Sequence, residues 1–277
     1  MHRGEIHMDF ITLSNGTKIP QIGFGVYLVD NDTEAPGAVE EALRIGYRHI
    51  DTAAIYKNEE GVAKGIAASG VARADIFLTS KIWNDDIRAG RTKEAFQESL
   101  DRLNTDYLDL CLIHWPVDGI VEAWRSLVEL YEEGKAKAIG VSNFKQHHLE
   151  QLKEAGLMTP MVNQIELHPQ LPQKDFVDYL KGEGIHIQAW SPLMQGKFME
   201  IDLFHELANK YEKTPSQIVL RWHLQTGHVA LPKSVTPSRI QENLNVFDFQ
   251  LSSEDMAAID AIATNERIGP DPDKIEF

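Results

Sequence analysis

Tyr47-Arg-His-Ile-Asp-Thr-Ala-Ala-Ile-Tyr56 obeys two rules in turn. Tyr47 to Ile50 reads as a short strand leaving the Gly46 that ends a helix; Asp51 stands where it stops, and Tyr56 lies on the loop beyond. Asn58-Glu-Glu then looks like a helix start with Asn58 as N-cap. This is one βα unit with an acid and a phenol at the same end. Alone, Asp51 could satisfy backbone groups and Tyr56 could be a loop aromatic, so the rest of the chain must decide.

Outward from this unit the pattern repeats. Apolar strand candidates fall at 22–26, 47–51, 76–81, 107–113, 136–141, 162–166, 185–190 and 228–232. Between them apolar residues recur at helical spacing: Val39, Ala42, Leu43 and Gly46; Phe96, Leu100 and Leu103; Val121, Trp124, Leu127, Val128 and Tyr131; Leu149, Leu152 and Lys153. Eight strands alternating with helices predict a parallel sheet closed into a (β/α)8 TIM barrel, α/β in class. Two helices, 202–212 and 215–226, fill the interval before the eighth strand, a further one spans 252–262, and 265–277 is a polar tail. Before the barrel, Asn15-Gly16 between Ile11–Leu13 and Thr17–Ile19 predicts an N-terminal β-hairpin that caps it. Nothing divides the chain, so residues 1–277 read as one domain. Residues 1–8 are too polar for a signal peptide and read as an expression remnant or a disordered lead, with Met8 as the natural start.

Composition narrows the function. The 277 residues are 43% hydrophobic and carry a net charge of −15, which disfavours nucleic acid and anionic membrane as partners. The one cysteine, Cys111, rules out a disulfide within the chain, so a reducing cytoplasm is expected. A monomer is the expected state. Trp124 and Trp222, both on helices, read as core.

In such a barrel the C-terminal ends of the strands face a ligand. Asp51, Lys81 and His114 end consecutive strands, Asn143 follows the fifth, Gln164 and Glu166 belong to the sixth, and Trp190-Ser-Pro closes the seventh. Tyrosine titrates at about 10 and is a poor acid at neutral pH. An ammonium about 4 Å from its oxygen, at an effective dielectric of about 20, favours the phenolate by roughly 4 kcal/mol. That is about three pKa units, which would bring Tyr56 towards neutrality if Lys81 lies close and Asp51 holds it. A neutral His114 could orient a carbonyl oxygen. The group can protonate a developing alkoxide; it lacks a nucleophile, and no metal set is expected, since His168 and His186 sit apart. Reduction then needs a hydride-carrying cofactor.

The dinucleotide fingerprint is absent: Gly23-Phe-Gly-Val-Tyr-Leu28 lacks its last glycine. Yet Lys213 through Gln241 contains no acid, and Leu231-Pro-Lys-Ser-Val-Thr-Pro-Ser-Arg239 brings Lys233, Ser234 and Arg239 to a helix start, with Thr236 as N-cap and Pro237 first in the helix. That is a phosphate site, placed after strand eight where barrels often hold one. An ordinary capped surface helix is the bland alternative.

Gly46-Tyr-Arg-His-Ile-Asp-Thr-Ala-Ala-Ile-Tyr56, Leu112-Ile-His-Trp-Pro116, Gly140-Val-Ser-Asn143, Asn163-Gln-Ile-Glu166 and Pro232-Lys-Ser234 together resemble the aldo-keto reductases, over about 10–277. Ala189-Trp-Ser-Pro-Leu-Met-Gln-Gly196 and Arg267-Ile-Gly-Pro-Asp-Pro272 resemble the bacterial branch with 2,5-diketo-D-gluconate reductases and glyoxal/methylglyoxal reductases. The resemblance implies that Tyr56 is the acid, Lys81 and Asp51 its electrostatic partners, and His114 the substrate-orienting residue. It implies NADPH as cofactor. Ser142, Asn143 and Gln164 would hold the carboxamide, Trp190 would stack on the ring, and Ser191, Leu193, Gln195 and Gly196 would line the diphosphate. Lys233, Ser234 and Arg239 would grip the 2′-phosphate, with Val235 and Thr236 also binding the cofactor, Glu242 and Asn243 near the adenosine and Gly25 and Val26 approaching the cofactor. Tyr27, Trp83 and Trp115 would wall the substrate site with His114. The short loop after His114 and the polar tail lead to an expected open, partly polar site for small carbonyls. Two other functions stay open: a Schiff-base lyase or aldolase using Lys81, and a non-catalytic NADPH-binding redox module.

Overall fold

The computed structural model describes residues 7–277, so most of the polar lead lies outside the described residues. Phe10–Thr12 (β1) and Lys18–Pro20 (β2) form the antiparallel hairpin, with Ile11 opposite Ile19. Asn15 serves the turn twice: its Oδ1 accepts the Thr17 N–H, and its Nδ2 donates to the Lys137 carbonyl at the foot of the barrel. The Pro20 carbonyl meets His49 Nδ1, and Gln21 Nε2 donates to the Leu224 and His228 carbonyls. The hairpin therefore covers the end where the barrel strands begin.

Eight parallel strands follow: β3 (Phe24–Gly25), β4 (His49–Asp51), β5 (Phe77–Ile82), β6 (Leu110–Ile113), β7 (Ile139–Ser142), β8 (Val162–Glu166), β9 (His186–Trp190) and β10 (Val229–Ala230). Each pairs with the next, and the ring closes where Ile22 bridges Ala230 and the Gly23 and Gly25 N–H groups donate to the Ala230 and Pro232 carbonyls. This is the (β/α)8 barrel. Its strands are shorter than their apolar runs. The 107–113 run yields only Leu110–Ile113 as a strand; before it Leu108 makes an isolated bridge to Ala136, and the Asp109 carboxylate accepts from Arg73 and from the Leu78 N–H.

Helices α1 (Ala35–Ile45), α2 (Glu59–Ser69), α3 (Asn84–Arg88) and α4 (Thr92–Leu103) cover the first half. The second half carries α5 (Ile120–Glu132), α6 (Gln146–Glu154), α7 (Lys174–Gly182), α8 (Asp202–Tyr211), α9 (Pro215–Gln225), α10 (Pro237–Leu244) and α11 (Ser253–Asp260). Most residues of the predicted faces are buried; Gly46, Val121, Val128 and Tyr131 are half-buried at the edges, and Lys153 is exposed. Glycine lets α1 and α2 touch: a Cβ on Gly65 would stand 2.6 Å from Val39 Cβ. Trp124 and Trp222 are core, at 0% and 1% exposure, with indole N–H groups donating to the Met158 carbonyl and Asp260 Oδ1. Asn58 is not the side-chain cap its position promised. Its amide donates to the Val26 and Val29 carbonyls and accepts from Thr52 Oγ1, tying the loop after β3 to the loop after β4. Among the described residues no helix is long and apolar enough to cross a membrane.

Candidate active site

The strand order brings Asp51, Lys81, His114, Asn143, Gln164 and Trp190 to one rim. Tyr56 joins them from a 3-10 turn, Ala54–Tyr56, directly after β4. Lys81 is enclosed at 1% exposure, and its three ammonium hydrogens have three partners. They are Asp51 Oδ1 at 2.6 Å, the Thr52 carbonyl at 2.9 Å and the Tyr56 hydroxyl at 3.4 Å. The second Asp51 oxygen accepts from Gln164 Nε2 at 2.9 Å.

Burial pulls the Lys81 pKa down, but the carboxylate of Asp51 and the phenol of Tyr56 outweigh it, so the amine sits above its ordinary value and stays charged. For Tyr56, burial raises the pKa, the Lys81 ammonium opposes it and Asp51 adds to the rise; the balance is upward. The expected descent towards neutrality is therefore corrected. Asp51 lies closer to the ammonium than the phenol does and cancels much of its field, while burial penalises the phenolate. Tyr56 keeps its proton at neutral pH, and Lys81 limits the cost of losing it.

Burial, helped by Lys81, holds His114 well below the usual histidine range, so the ring is neutral. Its Nδ1 is buried without a partner, and Nε2 is the nitrogen that reaches solvent. The tautomer with the proton on Nε2 leaves only a lone pair inside and aims a donor outward.

Aromatic rings wall the mouth. Tyr27 lies 5.3 Å from Tyr56, and Trp83 lies 5.3 Å from His114, centroid to centroid. The tail departs from the sequence expectation of an open site. Phe277 stacks on Trp83 at 5.9 Å and meets Trp115 edge-on at 5.3 Å. Three anchors bring it there. Buried Glu166 accepts the Ile268 and Gly269 N–H groups, Lys145 pairs with Asp271 and Asp273, and Asn84 and Arg88 donate to the Phe277 carbonyl. Gly269 lies against the indole of Trp190, where a Cβ would come within 2.2 Å of Cη2. Polar composition concealed this strap, since its contacts are backbone donors and distant ion pairs.

Four of the residues expected around a nicotinamide nucleotide, Ser142, Asn143, Gln164 and Trp190, are joined by hydrogen bonds at this rim. Ser142 Oγ donates to the Gln164 carbonyl, and Asn143 Nδ2 donates to the His114 carbonyl. Asn143 Oδ1 accepts the Trp190 indole N–H at 2.8 Å, and both Gln164 amide hydrogens are taken, by Asp51 and Gln188. The trio's main donors are thus engaged inside the protein and its remaining capacity is in oxygen lone pairs, which suits the NH2 end of a carboxamide. Ser191 and Leu193 are half-buried and Gln195 and Gly196 exposed at the end of β9, where a left-handed pair, Gln195 and Gly196, kinks the chain. Gly25 and Val26 are buried beneath.

Lys233, Val235, Thr236 and Arg239 are exposed around the start of α10, and among the described residues neither cation forms a salt bridge. Thr236 holds the N-cap position without a side-chain bond; Ser234 Oγ accepts the Thr236 N–H instead. A helix start with free cations fits a phosphate. Glu242 Oε1 accepts from Thr214 and Ser216 at the start of α9, and Asn243 beside it is buried. Away from this rim, His147, His148 and Asp273 have metal-ligand spacing. However, His148 Nδ1 accepts the Lys145 N–H, so its proton is on Nε2, and Lys145 already holds Asp273.

An α/β barrel with this rim defines an oxidoreductase, and the chain belongs to the aldo/keto reductase family, which residues 21–264 match. It is 53% identical to the glyoxal reductase of Bacillus subtilis over 97% of this chain and 98% of the relative. Identity is 48% to the methylglyoxal reductase DkgA of Escherichia coli, over 95% of this chain and 97% of that one. The crystal structure of a Gox0644 mutant in complex with NADPH superposes with a TM-score of 0.93 at 42% identity, covering 98% of this chain and all of that one.

Proposed function

We propose that the protein is an NADPH-dependent reductase of small aldehydes and α-dicarbonyls such as glyoxal and methylglyoxal, or of keto-sugar acids such as 2,5-diketo-D-gluconate. The observation that carries this reading is the buried Asp51–Lys81–Tyr56 chain beside a neutral His114. When bound, NADPH supplies a hydride from its nicotinamide ring. His114 donates from Nε2 to the substrate oxygen and fixes its direction. Tyr56 gives its hydroxyl proton to that oxygen, and Lys81, held by Asp51, stabilises the phenolate left behind. Tyr27, Trp83, Trp115 and Phe277 exclude water from the exchange.

Lys233, Ser234 and Arg239 would bind the 2′-phosphate, and the lone buried Cys111 thiol fits the cytoplasm. The Schiff-base alternative is disfavoured by the raised Lys81 pKa and its three partners, since an aldolase needs a free amine. Turnover of glyoxal, methylglyoxal, 2,5-diketo-D-gluconate, benzaldehydes and a ketosteroid with NADPH and NADH tests the reading. Faster NADPH oxidation with the small dicarbonyls or keto acids supports it. A preference for the steroid, or tight NADPH binding without turnover of any substrate, refutes it.

A further inference from the structure

Gln164 and Gln188 face one another across β8 and β9, directly opposite in register and buried at 3% and 0%. We propose that Gln188 is a positioning residue: with Asp51 it locks the Gln164 amide so that the carbonyl oxygen of that side chain faces the mouth and accepts the N–H of a nicotinamide carboxamide. The inference rests on the proposed seating of nicotinamide at this rim.

The orientation follows from counting donors. Asp51 offers only acceptors, and its Oδ1 is taken by Lys81. Its Oδ2 therefore selects the nitrogen of Gln164, at 2.9 Å; the flipped amide would set oxygen against a carboxylate. This leaves a second Gln164 hydrogen in a sealed interior, where an unmet donor is costly. Gln188 Oε1 meets it at 2.8 Å. Gln188 Nε2 is itself buried without a protein partner, so its own surroundings do not dictate its orientation; the Gln164 donor does. With both hydrogens held from below, Gln164 Oε1 is the only polar atom of that amide left for the mouth. Asp51 alone would fix one hydrogen and leave the amide free to swing about that bond.

The test is the ratio of dissociation constants for NADPH and its reduced 3-acetylpyridine analogue, whose methyl group replaces the carboxamide NH2. Fluorescence titration of the full chain would compare wild type, Gln188→Met and Gln188→Glu. Wild type should favour NADPH by about tenfold, the worth of one hydrogen bond. Gln188→Met should cut that ratio by about threefold or more through weaker NADPH binding, with the analogue affected little. Gln188→Glu, which keeps an oxygen at the same reach, should retain the ratio. If the methionine variant does not fold, Gln188→Leu takes its place. An unchanged ratio, or equal weakening of both ligands, overturns the inference. A wild-type ratio near unity also overturns it by removing the contact that Gln188 would orient. The proposed function is then judged separately by NADPH turnover.

Discussion

Replacing Lys81 by methionine keeps the reach of the side chain and removes the charge, and the structure sets the size of the response. Three hydrogen bonds disappear from the interior, and Asp51, 3% exposed, keeps Gln164 as its remaining side-chain partner. Leaving one member of a buried ion pair behind costs about 3–5 kcal/mol. For a chain of this length each kcal/mol moves the melting temperature by about 2–4 °C, so Lys81→Met should melt about 6–20 °C lower. Adding Asp51→Asn should recover more than half of the loss, because the stranded charge is gone. The Lys81 pKa is raised, so the stability from this pair is complete below the ordinary lysine value and is lost only as pH climbs through the raised one. The deficit should therefore stay flat across neutral pH. Carbonyl reduction should fall by about a thousandfold in Lys81→Met, from roughly 4 kcal/mol of phenolate stabilisation at about 20 effective dielectric, and by less in the double variant, because Asp51→Asn also removes the charge that opposes the phenolate. Thermal melts and a double-mutant cycle make the measurement. A single-variant loss below about 1 kcal/mol, with no recovery on adding Asp51→Asn, would refute the charged, buried pair.

Arg239→Ala should weaken NADPH by about tenfold to a hundredfold and NADH hardly at all, since a charge-assisted hydrogen bond is worth about 1.5–3 kcal/mol; equal losses exclude a 2′-phosphate contact. Gly269→Ala should displace Trp190, into which its Cβ would project, lowering stability by about 1–3 kcal/mol and shifting tryptophan fluorescence. An unaltered spectrum and melt would contradict the strap's close seating. Acid should destabilise the fold early. Burial lowers His49 to about 4 and His223 to about 3 from 6.5, so the unfolded chain takes up protons that the folded one refuses. Stability should fall as pH drops below 6.5, by about 1 kcal/mol per residue over the first unit, and a flat profile there would contradict the neutral burial of these rings.

The barrel was legible because alternating apolar strands and 3.6-residue periodicity are local signals, as in Leu110–Ile113 and Trp124–Leu127–Tyr131. Strand-end Asp51, Lys81 and His114 could be grouped for the same reason: a closed parallel sheet puts all strand ends on one face. What stayed hidden was long-range or a balance of opposing effects. Nothing near Phe277 in sequence announces Trp83 or Trp115, and Glu166 holds Ile268 and Gly269 through backbone N–H groups that composition does not reveal. Gln188 reads as one more strand residue until Gln164 is seen opposite it. The net rise of the Tyr56 pKa comes from burial, opposed by Lys81 and joined by Asp51, a balance that depends on depth in the fold and is not carried by residue spacing. Asn58 likewise chose distant carbonyls over the local cap.

Tyr56→Phe removes one oxygen, the atom that Lys81 approaches at 3.4 Å, and leaves the ring between Tyr27 and His114. Paired titration of NADPH and single-turnover reduction of methylglyoxal on this variant is the most direct measurement. The dissociation constant should stay within about twofold while the reduction step slows by about a hundredfold or more, the range that general acid catalysis spans. Reduction at the wild-type rate would mean that the proton comes from elsewhere.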